Sequence, residues 1–157
     1  MPDHLEGKVI VITGAAGGFG RLVAEKTAAR GARVVASDVD EATLAETVGA
    51  LEAAGALEAA GGALCGVVAD VTDRAAMHAL ARQAFERFGA IDVMVNNAGV
   101  MPLAFYADHD AAAEAWDRCI DINQKGVLHG ISAVHDTMIR QGRGHIVNVA
   151  SIYGNYP

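Results

Sequence analysis

Residues 8–20 read Lys8-Val9-Ile10-Val11-Ile12-Thr13-Gly14-Ala15-Ala16-Gly17-Gly18-Phe19-Gly20. Lys8–Thr13 is a continuous β-branched run, as in a strand buried on both faces. A glycine-rich turn follows, and a helical pattern, Gly18–Arg30, begins inside it. A strand, a tight turn and a helix start gather backbone N–H groups at one point, where the helix dipole adds partial positive charge. Such a point favours a pyrophosphate. Gly14 permits the turn, Gly18 lets a phosphate approach the backbone, and Gly20 lets helix and sheet pack closely. Thr13 and Phe19 flank the same turn and complete this group of candidate cofactor-binding residues.

Working outward, Arg33–Ser37, Ala63–Ala69, Ile91–Asn96 and His145–Ala150 are further short apolar runs. Helical patterns lie between them at Glu41–Ala54, at Arg74–Phe88 and over one long span from about Ala111 to Gln141. Arg74–Phe88 places Met77, Leu80, Ala81, Ala84 and Phe88 on one face, with Asp73 to cap its start and Gly89 after its end. Strands alternating with helices predict one α/β domain, a Rossmann-type doubly wound parallel sheet of five strands in the order 3-2-1-4-5. Ala-Leu-Glu-Ala-Ala-Gly occurs at Ala50–Gly55 and again at Ala56–Gly61. Six residues turn a helix by about 600°, so Leu57 cannot share the face of Leu51. The second copy reads as a duplication lengthening a surface helix end or loop.

The 157 residues suffice for one domain with a core, and 52% apolar with 20% charged residues excludes disorder. The net charge of −7 argues against nucleic-acid and anionic-membrane partners, both of which need a basic surface. No run is long and apolar enough to span a bilayer, and Met1–Lys8 does not read as a signal peptide. Cys65 and Cys119 match no metal-ligand spacing and read as buried thiols in a reducing, cytoplasmic compartment. His109, His129, His135 and His145 are scattered without ligand spacing, so no metal is expected.

The second strand ends at Asp38, about the spacing at which an acid meets an adenosine ribose. A carboxylate there accepts hydrogen bonds from the 2′- and 3′-hydroxyls and repels a 2′-phosphate. Ala15, Ala16, Gly17 and Val39 supply no compensating base, so the expected cofactor is NAD rather than NADP. The competing reading of Asp38 is a cap for the next helix, together with Asp40 and Glu41.

The turn is Thr-Gly-x-x-x-Gly-x-Gly, which resembles that of the short-chain dehydrogenase/reductase family. The likeness continues with Asp70-Val71 after the third strand, Asn96-Asn97-Ala98-Gly99 after the fourth, Asn123 three residues before Gly126, and His145–Ser151, similar to the strand that ends at the family's serine. The resemblance implies hydride transfer between NAD and a small-molecule carbonyl or secondary alcohol. It implies that Asp70 bonds the adenine amino group with Val71 on the ring, and that Asn97, Ala98 and Gly99 line the ribose and pyrophosphate. Ser151 matches the carbonyl-polarising serine, and Asn123 the asparagine that holds a relay water. The bland alternatives are a strand end for Ser151 and a backbone-bonding helix kink for Asn123. Asn96 is expected to tie strands together.

The family's Tyr-x-x-x-Lys has no counterpart here. Tyr153 and Tyr156 stand too close to Ser151, and neither has a lysine four positions on. The expectation is a domain incomplete at its C-terminus, inactive alone, with a homodimeric or homotetrameric full-length form. The alternative is a non-catalytic dinucleotide-binding protein. A sugar-nucleotide epimerase is a weaker third, because its Gly-x-x-Gly-x-x-Gly turn is not followed.

Overall fold

The computed structural model describes residues 4–53, 62–102 and 106–151. Strands β1 (Val9–Thr13), β2 (Arg33–Asp38), β3 (Ala63–Val68), β4 (Val93–Asn96) and β5 (His145–Asn148) form one sheet in the order β3-β2-β1-β4-β5. All four pairings are parallel, with Val11 opposite Val35 on one side and Met94 on the other. The chain builds outward from β1 through β2 to β3, then crosses back to β4. That reversal opens a crevice at the carboxyl ends of β1 and β4, where doubly wound sheets bind ligands.

Alternate residues of β1 enter two cores, one on each face. Ile10 and Ile12 pack with Ala24 and Ala28 of α1 (Gly18–Ala28) and Leu44 and Leu51 of α2 (Glu41–Ala53). Val11 packs with Met77, Leu80 and Ala84 of α3 (Arg74–Phe88) and with Val134 and Met138 of α5 (Gly126–Gln141). The buried alanines hold α1 close to the sheet, as the alanine-rich composition requires. The predicted face of α3 is confirmed for Met77, Leu80, Ala81 and Ala84, and Asp73 accepts hydrogen bonds from the Ala75 and Ala76 N–H groups.

The predicted long helix is not uniform. A 3-10 turn (Tyr106–Asp108) leads into α4 (His109–Ile120), a π turn (Asp121–Lys125) follows, and only then α5. A π turn carries an extra residue and re-aims the side chains around it. The edge strands are also less enclosed than their composition implies: in β3 only Leu64 is buried, with Ala63, Cys65 and Val67 half-buried and Gly66 and Val68 exposed, and β5 is largely exposed. Each has a pairing partner on one side only within the described sheet. The whole second Ala-Leu-Glu-Ala-Ala-Gly copy, with Tyr153 and Tyr156, lies outside the described residues.

Asp92, just ahead of β4, latches the amino-terminal side of the sheet. Its carboxylate accepts the Val9 N–H (3.0 Å) and the Arg143 Nε–H (2.8 Å), while its backbone bonds Val9 and His145. Burial pushes this carboxyl up, but the Val9 and Arg143 hydrogen bonds and the nearby Arg143 and Lys8 charges outweigh it. The result is a pKa below the ordinary aspartate value.

Candidate functional site

A cleft of about 860 Å³ opens across the carboxyl ends of the strands. Gly14, Gly18, Phe19, Asp38, Asp70, Val71, Asn97, Ala98 and Gly99, all singled out in the sequence, line it together with Gly17. Thr13 and Gly20 do not. Thr13 is 2% exposed, and its Oγ1 accepts the Asn97 and Ala98 N–H groups, both at 3.1 Å. It braces the end of β4 against β1 from behind the cleft wall.

Gly20 is likewise structural. A methyl group there would meet the Gly14 carbonyl oxygen and come within 2.5 Å of Asn97 Nδ2. Gly14 has φ +65°, and a Cβ would stand 2.8 Å from Ala98 Cα. The two glycines let turn, helix and β4 loop close on one another. Asn97 Nδ2 fills the remaining space and donates to the carbonyls of Thr13 (2.9 Å) and Gly14 (3.0 Å). The Asn97 amide is therefore spent on the protein, although the residue lines the cleft.

The turn divides its amides. Ala15 N–H goes to the Ser37 carbonyl and Ala16 N–H to Asp38 Oδ2, while the buried Thr47 hydroxyl donates to the Ala16 carbonyl. Beyond them α1 begins at Gly18 with no side-chain cap from Gly17 and no acid in its first turn. Its opening N–H groups have no intrahelical partner. By contrast, Asp73 caps α3, and Asp40 accepts the Thr43 N–H and hydroxyl at the start of α2. Those Thr43 bonds, the hydroxyl's first, lower the Asp40 pKa. So Asp40 caps α2, and Asp38 stands apart from that task. Asp38 Oδ2 accepts from Ala16 (3.0 Å) and Oδ1 from Asp40 N–H (3.2 Å), which fixes its carboxylate at the end of β2 in the cleft wall.

Asp70 Oδ1 accepts the N–H and the hydroxyl of Thr72, each at 2.8 Å. Thr72 was missed in the sequence, although Asp-x-Thr is a local turn signal. Val71 is buried. A Cβ on Gly126 would lie 2.8 Å from its Cγ2, and its carbonyl accepts the His129 Nδ1–H at 2.8 Å. α5 thus steadies the Asp70–Thr72 loop. Val100, Glu114, Asp117, Arg118, Asp121 and Ile122 also line the cleft and were not singled out. Helical periodicity marks the last five as neighbours, but only the placement of α4 and the π turn shows which face they turn to the strand ends.

Asn123 sits in the π turn, with Val100 donating to its Oδ1 (2.9 Å) and its Nδ2 donating to the Val100 carbonyl (2.8 Å). Cys119 Sγ lies 3.4 Å from the same Nδ2 and 3.6 Å from the Val100 oxygen. Neither cysteine is fully buried, contrary to expectation. Cys119 takes part in the Asn123 clasp, and partial burial raises the Cys65 pKa. Asn96 Nδ2 bonds Asn148 Oδ1 across β4 and β5, as expected. Ser151 is exposed and follows β5 by three residues, on the carboxyl edge where the cleft lies. No helix among the described residues is long and apolar enough to cross a membrane.

A strand-order reversal beneath a glycine turn and a bare helix start defines a doubly wound, Rossmann-type α/β domain. The short chain dehydrogenase model matches residues 8–157, and the chain belongs to that family. It is 38% identical to a 3-oxoacyl-[acyl-carrier-protein] reductase of Thermotoga maritima, over 98% of this chain and 59% of the relative. Sorbitol dehydrogenase of Cereibacter sphaeroides is 40% identical over 96% of this chain and 55% of its own. A short-chain dehydrogenase/reductase from Burkholderia phymatum, solved with NAD, superposes with TM-score 0.87 at 42% identity, covering 98% of this chain and 52% of that one. The chain spans between half and two thirds of the length of these relatives.

Proposed function

We propose that this chain is the cofactor-binding part of an NAD-dependent oxidoreductase acting on a small carbonyl compound or secondary alcohol. The observation that carries this reading is the pairing of the uncapped start of α1 with the fixed Asp38 carboxylate across one cleft. The first suits a pyrophosphate and the second a ribose diol. Gly18 and Phe19 would hold the pyrophosphate against the α1 amides, Asp38 the adenosine ribose, Asp70 and Val71 the adenine. Ala98 and Gly99 would line the path towards the nicotinamide, with Asn97 holding the wall in shape.

Bound NAD supplies a ring that accepts or gives hydride. Ser151 is the candidate to polarise a substrate carbonyl. Both amide hydrogens of Asn123 are engaged, which leaves one Oδ1 lone pair to receive a relay water. The substrates printed in the relatives' names, sorbitol and an oxoacyl carrier protein, share only a carbonyl/alcohol couple. That common couple supports the reaction class. No observation favours the alternative of a nucleotide-binding protein without chemistry.

Titration calorimetry on the full-length protein tests the proposal. NAD is expected to bind at least roughly ten-fold more tightly than NADP, because Asp38 faces any 2′-phosphate with a charge. Tighter NADP binding, or binding of neither dinucleotide, would refute it.

A further inference from the structure

The cleft wall is strongly acidic. Asp38, Asp70, Glu114, Asp117 and Asp121 all line it, and Arg118 is the one cation to do so among the described residues. A dinucleotide brings two further negative charges on its pyrophosphate. An acidic wall with a single cation gives that cation a disproportionate part in what the cleft holds.

The position of Arg118 follows from the Val71 contact. Gly126 packs on the Val71 side chain. Ile122, in the π turn, and Arg118, in α4, lie four and eight residues earlier in one column that faces the cleft, which both of them line. Ile122 is partly buried against the core that contains Val71, so the column leaves the core at Ile122 and reaches open cleft at Arg118. The column rises from the Asp70–Thr72 loop, on the sheet face of α3 and α5, opposite the glycine turn and α1. Arg118 therefore overhangs the end of the cleft built by Asp70 and Val71, and stands across from the pyrophosphate seat.

The guanidinium is also available. Lys125 pairs with Asp121 at 2.6 Å, which satisfies that carboxylate from outside the cleft. Among the described residues, Arg118 has no ion pair with Glu114, Asp117 or Asp121 within 4.0 Å. A surface pair at the Glu114–Arg118 spacing would be worth little in any case. A planar guanidinium can stack on an aromatic base while its edge keeps its donors, which a lysine ammonium cannot do.

We propose that Arg118 is a cofactor-contact residue that closes the adenine end of the cleft, its guanidinium lying over the base that Val71 supports from below. This rests on the dinucleotide reading of the cleft. It assigns to α4, an element outside the glycine turn and the strand ends, a direct part in holding the cofactor.

The test is titration calorimetry on the full-length protein with three probes: NAD, ADP for the adenosine half, and nicotinamide mononucleotide for the other half. Arg118→Ala is expected to weaken NAD and ADP by roughly three- to ten-fold, with the mononucleotide unchanged. Arg118→Lys should recover less than half of that loss on a logarithmic scale, because it restores the charge without the plane. Arg118 is exposed, so thermal melts of both variants should match the parent. ADP affinity within two-fold of the parent in Arg118→Ala would overturn the proposal. So would equal losses for ADP and the mononucleotide, or full rescue by lysine. Failure of the unaltered protein to bind NAD at all would instead strike the dinucleotide reading.

Discussion

Asp38 shows how one side chain is prepared for a role by bonds that do not belong to that role. Two backbone N–H groups, from Ala16 and Asp40, hold its carboxylate still, and the α2 cap falls to Asp40. Substituting Asp38→Ala is expected to weaken NAD binding by roughly ten- to one-hundred-fold, since two hydrogen bonds to a charged group are lost. Discrimination against NADP should relax in parallel, and comparative titration of both dinucleotides reads each effect. Gly20→Ala belongs to the same scale. Its methyl group has no room between the Gly14 carbonyl and Asn97, and a small-to-large change in so tight a place costs about 1–3 kcal/mol. Denaturant unfolding should show that loss together with weakened NAD binding, because the turn itself must move.

At the scale of elements, the helix starts on the carboxyl edge divide into capped and uncapped. Asp73 satisfies two amides of α3, so Asp73→Ala should cost about 1 kcal/mol of stability, read from the urea midpoint, with NAD affinity unchanged. The α1 start lacks such a cap. The π turn is the second case. It lets Asn123 face the loop after β4 and pair with both backbone groups of Val100. Asn123→Ala leaves that pair unmatched. It is expected to cost about 1–2 kcal/mol and to lower kcat in the full-length protein more than it raises KM.

For the whole molecule, the sheet is pinned at both ends by polar groups from distant parts of the chain. Thr13 and Asn97 join β1 to the β4 loop at the cleft, and Asp92 joins β1, β4 and the approach to β5 at the opposite end. Asp92→Ala leaves the buried Val9 N–H without its acceptor and Arg143 without its partner, at an expected cost of about 2–3 kcal/mol by denaturant unfolding. The pH dependence has a definite sign. The Asp92 pKa in the folded protein is lowered, so its contribution is complete above the unfolded aspartate value and is lost as pH falls through the lower folded value. Stability should therefore drop below about pH 4, and less so in Asp92→Asn. An equal acid dependence in that variant would assign the effect to other carboxylates.

The amino-acid sequence by itself determined the strand–turn–helix unit at residues 8–20, the alternation that yields the 3-2-1-4-5 sheet, and the Asp73 cap. Each is local: a two-sided apolar run, a glycine where a side chain would collide, or a short polar side chain reaching its own helix start. The position of Asp38 in the cleft was also legible, because strand length and turn length alone carry it to the carboxyl edge. Only the tertiary structure decided that Thr13 and Gly20 stand behind the wall, that the Asn97 amide is spent on Thr13 and Gly14, and that Glu114 to Ile122 form the far wall. Those outcomes depend on which side of a helix meets which strand end, and one π turn is enough to change that rotation. Contacts between residues more than eighty positions apart, such as Val9 with Asp92, depend on packing the whole sheet, and no local pattern encodes them.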